Sequence, residues 1–175
     1  MPLRRNLGLT LTEIMVALAV LAVLGVIAIP GFGARLDRER LRGAAEGLAT
    51  DLNEARFEAA RQGRALHLIT VDGPAWCWAV ATTRDCPCGS GQGCQLRSVG
   101  QHDHPGVALR TPGHVEVGAN GRTETTAAAF DLQSARGLQL RVSLSSMGRA
   151  QVCTLRGPGS GAAAAQRYPP CAAGS

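Results

Sequence analysis

The chain contains no lysine; all 18 of its basic residues are arginine. That bias follows GC-rich codon usage more than any function. Aromatic residues make up only 3% of the 175 positions, so there is little with which to stack nucleobases. Any nucleic-acid contact would therefore be directed at the backbone and sensitive to salt. No G-x-S-x-G elbow occurs and no pair of carboxylates stands out, so enzyme activity has no support in the sequence. Cysteines never occur as the paired C-x-x-C units of a zinc ribbon. The glycines at 89, 91 and 93 follow two cysteines instead of a strand, which argues against a phosphate cradle. No internal repeat is present, and neither a cofactor nor a metal is expected.

The net charge of +5 is unevenly placed. Arg4 and Arg5 precede a long apolar run. Arg136, Arg141, Arg149, Arg156 and Arg167 follow Asp131 with no acidic residue among them. The section between, from Leu9 to Asp131, carries −2, so the basic character belongs to the two ends. A basic C-terminal quarter can meet phosphates or acidic surfaces, or it can be an ordinary solvated face.

Residues 14–29 form an uninterrupted apolar run of sixteen, and Leu9, Leu11 and two threonines extend it to about the 20 that a spanning helix needs. Arg4 and Arg5 keep its front end cytoplasmic by the positive-inside rule, which places the remainder outside. The six cysteines, Cys77, Cys86, Cys88, Cys94, Cys153 and Cys171, all lie on that side. An even number in an oxidising compartment reads as disulfides, although six cysteines permit fifteen connectivities. A secretory signal would carry a small-x-small cleavage site, and Phe32-Gly33-Ala34 fails at its first position. A plain membrane anchor explains the length but not Glu13, because a carboxylate within a span costs about 2.5–3.5 kcal/mol even on the lenient insertion scale.

Residues 35–62 are amphipathic, with Leu41, Ala45, Leu48, Leu52, Ala55 and Ala59 at helical spacing and Gly63 as a plausible stop. Pro30, beside Gly31 and Gly33, marks a kink in a helix that continues. Beyond Gly63 the pattern predicts strands over 64–71, 76–81, 107–110, 115–117, 127–132, 138–144 and 150–155. Residues 157–166 read as a small-residue loop. A long helix followed by an antiparallel meander is an α+β architecture. The organisation expected is a leader at 1–8, a helix at 9–62 and a β-rich domain at 63–175. His102, Asp103, His104 and His114 read as solvated loop residues, not as metal ligands.

The segment Gly8-Leu9-Thr10-Leu11-Thr12-Glu13 resembles the prepilin cleavage site of type IV pilins and type II secretion pseudopilins. In that family a basic leader ends in Gly, a hydrophobic residue follows, and Glu is fifth in the mature chain. Leu9 stands where the family usually has Phe. The strand AWCWAV and the C-terminal MGRAQVC…YPPC are similar to the GspH/FimT branch of minor pilins and pseudopilins. The resemblance implies a pilin-like fold, a long helix on an antiparallel sheet, inserted in the inner membrane with its domain in the periplasm. It implies cleavage between Gly8 and Leu9 by prepilin peptidase, N-methylation of Leu9, and assembly with other pilins in a filament. Glu13 then acquires a partner, since cleavage creates an α-amino group one helical turn away, or on a neighbouring subunit. It further implies a disulfide closing the loop between Cys153 and Cys171, while pairing among the other four stays open. Some members bind DNA through a C-terminal Gly-Arg-x-Arg. Here Gly148-Arg149-Ala150-Gln151 replaces the second arginine, so a DNA role would lean on Arg149, Gln151, Arg141 and Arg156. Three functions stand: a filament subunit, a DNA-uptake pilin on the same scaffold, and a plain membrane-anchored protein.

Overall fold

A computed structural model of the chain describes residues 10–89, 93–123, 127–145, 147–155 and 167–171, with side chains except at residues 27–31 and 127. Helix α1 runs from Leu11 to Gln62, helical without interruption across Pro30. Thr10 opens it as an N-cap: its hydroxyl accepts the Glu13 backbone N–H at 3.3 Å, and its carbonyl accepts Ile14 N–H at 3.2 Å. The far end closes on Gly63 at φ +63°, where Arg64 N–H bonds back to the Ala59 carbonyl at 3.2 Å. That six-to-one bond satisfies a carbonyl that the last turn would otherwise leave open.

Two compact units divide the chain, Met1–Leu36 and Asp37–Ser175. In the second unit the strands are β1 (Leu66–Val71), β2 (Cys77–Ala81), β3 (Gln95–Gly100), β4 (Val107–Leu109), β5 (Gly113–Val117), β6 (Ala127–Ser134), β7 (Gln139–Ser145) and β8 (Ala150–Cys153). They form two antiparallel sheets, ordered β3-β2-β1-β5 and β4-β6-β7-β8. Every strand read from the sequence is present. β3 was not anticipated, because it is an edge strand whose middle residues Leu96, Arg97 and Ser98 are exposed and show no apolar alternation.

The helix brings Leu41, Ala44, Ala45, Leu48, Leu52, Ala55 and Ala59 to the core, all nearly inaccessible. Alanine at so many of these sites allows the strands to approach the helix closely, where larger side chains would hold them off. From the sheets come Leu66, Leu68, Trp76, Trp78, Val80, Phe130, Leu132, Leu140, Val142 and Leu144. The clean alternation predicted for Leu138, Leu140, Val142 and Leu144 holds, with the last three buried and Leu138 partly so. Both indoles are buried and both N–H groups are satisfied: Trp76 donates to the Val107 carbonyl at 2.7 Å and Trp78 to Asp51 Oδ2 at 2.8 Å.

Disulfides staple the loops. Cys77 bonds Cys88, Cys86 bonds Cys94, and Cys153 bonds Cys171, which leaves no free thiol. The first two loops overlap and fold the segment after β2 back toward that strand, where Thr82 N–H meets the Cys94 carbonyl at 2.9 Å. The third ties β8 to the C-terminal segment, where Thr154 also pairs with Pro170.

Candidate functional site

Glu13 sits at the third helical position behind the Thr10 cap, in the first turn of α1, where the amide dipoles favour a negative charge. Threonine followed three residues later by glutamate is the capping-box pattern, a local reason for Glu13 that the sequence already displays. The carboxylate is exposed and makes no ion pair among the described residues. Gly8 and Leu9 lie outside the described residues, as does Arg156.

Leucines, valines and Met15 cover the helix from Leu11 to Val26 on every side and all are exposed, from Leu11 at 77% to Val26 at 74%. Monomeric soluble proteins rarely expose so continuous an apolar surface. Among the described residues no helix is long and apolar enough to cross a membrane. The apolar run extends to Ile29, and its last residues have no described side chains, so the described part stops at Val26, sixteen residues from Leu11. That is short of the about 20 a span requires.

The candidate DNA-contact residues separate. Arg141 is held by Asp131 in a two-point ion pair, Nε to Oδ1 at 2.7 Å and Nη2 to Oδ2 at 3.0 Å, which raises its pKa. Register places the two residues directly opposite on β6 and β7. Arg149 and Gln151 are exposed together at the β7–β8 hairpin. Gly148, between β7 and that arginine, has φ +75° and is packed on the Gly121 carbonyl.

Two of the four residues read as solvated loop residues depart from that reading, His104 and His114. His102 is exposed and Asp103 accepts the Gly100 N–H at 2.8 Å, but His104 stacks on Trp78 with ring centres 6.0 Å apart. Burial lowers the His104 pKa. His114, on β5, pairs with His67 on β1, His114 Nε2 to His67 Nδ1 at 3.1 Å. Burial and then the neighbouring His67 push the His114 pKa down. Among the described residues no three His, Cys, Asp or Glu side chains are placed to hold a metal ion.

The most unusual polar group in the domain has no local signature in the sequence. Asp51 is 2% exposed, one of only five buried polar or charged residues among those described. Its Oδ2 accepts the Trp78 indole; its Oδ1 stands 2.7 Å from Arg97 Nε without hydrogen-bond alignment, and so has no hydrogen-bond donor among the described residues. Desolvation raises its pKa, against the opposing pull of the Trp78 bond and the Arg97 charge. It lines a groove of about 460 Å³ between α1 and strands β2 and β3, rimmed by Glu54, Phe57, Glu58, Leu96 and Arg97.

Comparison with known proteins decides the family. The family model described as type II transport protein GspH matches residues 44–148, and that of the prokaryotic N-terminal methylation motif matches residues 3–29. The chain belongs to the GspH family. Its fold is similar to a crystal structure of the type IV minor pilin FimU of Pseudomonas aeruginosa (strain PAO1), with a TM-score of 0.51 at 23% identity over 70% of this chain and 92% of that one. A second crystal form of FimU aligns with a TM-score of 0.47 at 24% identity, over 68% of this chain and 94% of that one. At that identity the first likeness is one of fold. No curated protein sequence matches this GspH-family chain. The GspH match begins at Ala44, three residues after the helix enters the core at Leu41, and ends at Gly148, the turn glycine just before the exposed Arg149.

Proposed function

We propose that this chain is a minor subunit of a filament of the type IV pilus or type II secretion class. Prepilin peptidase cuts it between Gly8 and Leu9, and Leu9 is then N-methylated. The apolar half of α1 holds it in the inner membrane with the domain in the periplasm, and the same helix, bent at Pro30, packs with other pilins in the filament. Glu13 serves as charge partner for the new α-amino group, its own or a neighbour's, so that neither charge is buried alone. One observation supports this above the others: the methylation motif at residues 3–29 runs without a break into the helix whose second half packs inside the GspH-family domain. An exposed all-apolar helix surface is what such packing consumes.

The test is the terminus of the mature protein from cells carrying the peptidase. Mass spectrometry should find N-methylated Leu9 as the first residue. Glu13→Ala should leave that processing intact while removing the subunit from sheared filaments. A mature chain beginning at Met1 or Pro2 would overturn the reading in favour of a plain anchor.

Capture of DNA is the second reading, and the observation favouring it is the exposed pair Arg149 and Gln151 at one hairpin. Arg141 adds little, since Asp131 neutralises it. Retardation of duplex DNA that falls with salt and with Arg149→Gln supports this reading; none at low salt removes it.

A further inference from the structure

Cys77, Cys86, Cys88 and Cys94 can pair in three ways, and the pairing in the folded domain is not the one an unfolded chain favours. The native bonds interleave: the Cys77–Cys88 loop contains Cys86, and the Cys86–Cys94 loop contains Cys88. Exchanging the two neighbours gives Cys77–Cys86 with Cys88–Cys94, two separate loops, each shorter than its native counterpart of 11 or 8 residues. Loop-closure entropy then favours the exchanged set by about twofold. Only Pro87 stands between Cys86 and Cys88, so nothing local tells one thiol from the other.

The finished fold does tell them apart. Cys77 lies opposite Gly100 at one end of the β2–β3 ladder, and Cys94 lies at the other end, where its carbonyl accepts Thr82 N–H at 2.9 Å. Cys86 is therefore bound at the Cys94 end and Cys88 at the Cys77 end, and the Pro87 carbonyl between them accepts from the Gln95 side chain. The exchanged set reverses the run of Cys86-Pro87-Cys88 along the ladder and cannot form this loop. Nor can the ladder make the choice beforehand. The middle of β3 is exposed and has no apolar face of its own, so the bridges hold this edge in place.

A chain bridged the wrong way cannot repair itself. Disulfide exchange starts from a thiolate, and a chain with all six cysteines oxidised has none to offer. Native bonds, once made, are protected, because each includes a buried cysteine, Cys77 at 7% and Cys86 at 3% exposure. Cys153 and Cys171 follow one another in the sequence with no competitor between them, so their bond needs only an oxidant.

We propose that the chain is a substrate of a thiol–disulfide isomerase, a dithiol catalyst that converts the exchanged set into the native one. The catalyst thiolate attacks Cys77 Sγ, which forms a mixed disulfide and frees Cys86 as a thiolate. Cys86 attacks Cys94 Sγ and frees Cys88. Cys88 then attacks Cys77 Sγ in the mixed disulfide, closing Cys77–Cys88 and returning the catalyst thiolate. As many S–S bonds form as break, and there is no net oxidation or reduction. Where the chain meets such a catalyst rests on the export proposed above; the pairing chemistry does not.

The experiment oxidises the reduced full-length chain in neutral detergent micelles with a disulfide-donating oxidase alone, and then adds reduced protein disulfide isomerase. Alkylation traps the thiols, and mass spectrometry with fragmentation at the Cys86–Pro87 bond distinguishes Cys86 from Cys88. Under oxidase alone the exchanged set is expected in about half of the chains or more. The isomerase should replace it with the native set roughly tenfold faster, or more, than buffer does. Cys86→Ser with Cys94→Ser leaves Cys77 a single neighbour, and Cys77–Cys88 should then close equally well with and without the isomerase. Native pairs alone under oxidase, a conversion rate indifferent to the isomerase, or isomerase dependence that survives in the double variant would overturn the proposal. All three leave the processing of Gly8 and Leu9, measured separately, untouched.

Discussion

Gly148 sits at φ +75°, and a Cβ placed on it would stand 2.3 Å from the Gly121 carbonyl oxygen. Neither the backbone conformation nor the space admits a side chain, and the obstacle is backbone that cannot swing aside. Gly148→Ala should therefore destabilise by roughly 2–4 kcal/mol, read as a lower denaturant midpoint with an unchanged slope. Asp51 makes a second residue-level prediction through its raised pKa. The folded chain keeps the Asp51 proton to higher pH than the unfolded chain, whose value is about 3.9. Stability from this group is thus greatest when it is protonated and declines as pH rises through that window. Glu58 works in the opposite sense: Arg61 and Gln62 lower its pKa to about 2, so its contribution is present above about 4.3 and lost as pH falls. Asn at 51 keeps an oxygen for the Trp78 indole and removes the titration. Melting temperatures of wild type and Asp51→Asn across pH 3 to 7 should show wild type losing ground to the variant as pH rises. A constant gap would mean Asp51 does not titrate in that range. Nothing about Asp51 was legible in the sequence, since it reads as one polar position on an amphipathic helix. Its character comes from Trp78, 27 residues away, and from an edge strand. The His67–His114 pair, 47 residues apart, was invisible for the same reason.

The helix was the most legible element, because its stripe from Leu41 to Ala59, its stop at Gly63 and its passage through Pro30 are all local signals. Strands with one buried face were legible from alternation. β3 was not, because an exposed edge strand is held by its ladder to β2 and by the disulfide-bonded loop before it, not by its own pattern. The C-terminal segment is another element fixed from a distance. Tyr168 donates to Glu46 Oε1 at 2.6 Å, across 122 residues, and Arg42 Nε reaches the same oxygen at 2.9 Å. Burial, followed by that bond, pushes the Tyr168 pKa up to about 12, and the same bond lowers that of Glu46. Tyr168→Phe should cost about 1 kcal/mol; hydrogen bonds to charged groups are worth more when buried, and Glu46 is partly in water. The sign of the pH dependence follows from the raised value. The Tyr168 contribution is fully present below pH 10 and fades as pH approaches 12, so wild type and Tyr168→Phe should converge in alkaline melts. Divergence there would place the tyrosine outside this bond.

Over the whole molecule, the three disulfides tie the stability of the domain to an oxidising environment. The chain-entropy relation gives about 2.5–3 kcal/mol for each of the closed loops, whose separations are 11, 8 and 18 residues. Summed independently they approach about 8 kcal/mol, comparable with the entire 5–15 kcal/mol of a typical domain. The sum is an upper bound, because the loops 77–88 and 86–94 overlap and closing one already restricts the other. Cys153–Cys171 shares no residues with them and should act additively. Reduction under native conditions should accordingly lower the unfolding midpoint sharply, followed by fluorescence of the buried Trp76 and Trp78. The double change Cys153→Ser with Cys171→Ser should account for about 3 kcal/mol of the loss. Either change that opens only one of the overlapping loops should cost less than its own loop length predicts. Equal, fully additive losses from all three would show that the overlap does not matter and that each bridge acts by local strain relief or packing. If reduction barely moved the midpoint, the domain would be stable in a reducing cytosol, and the cysteines would no longer argue for export.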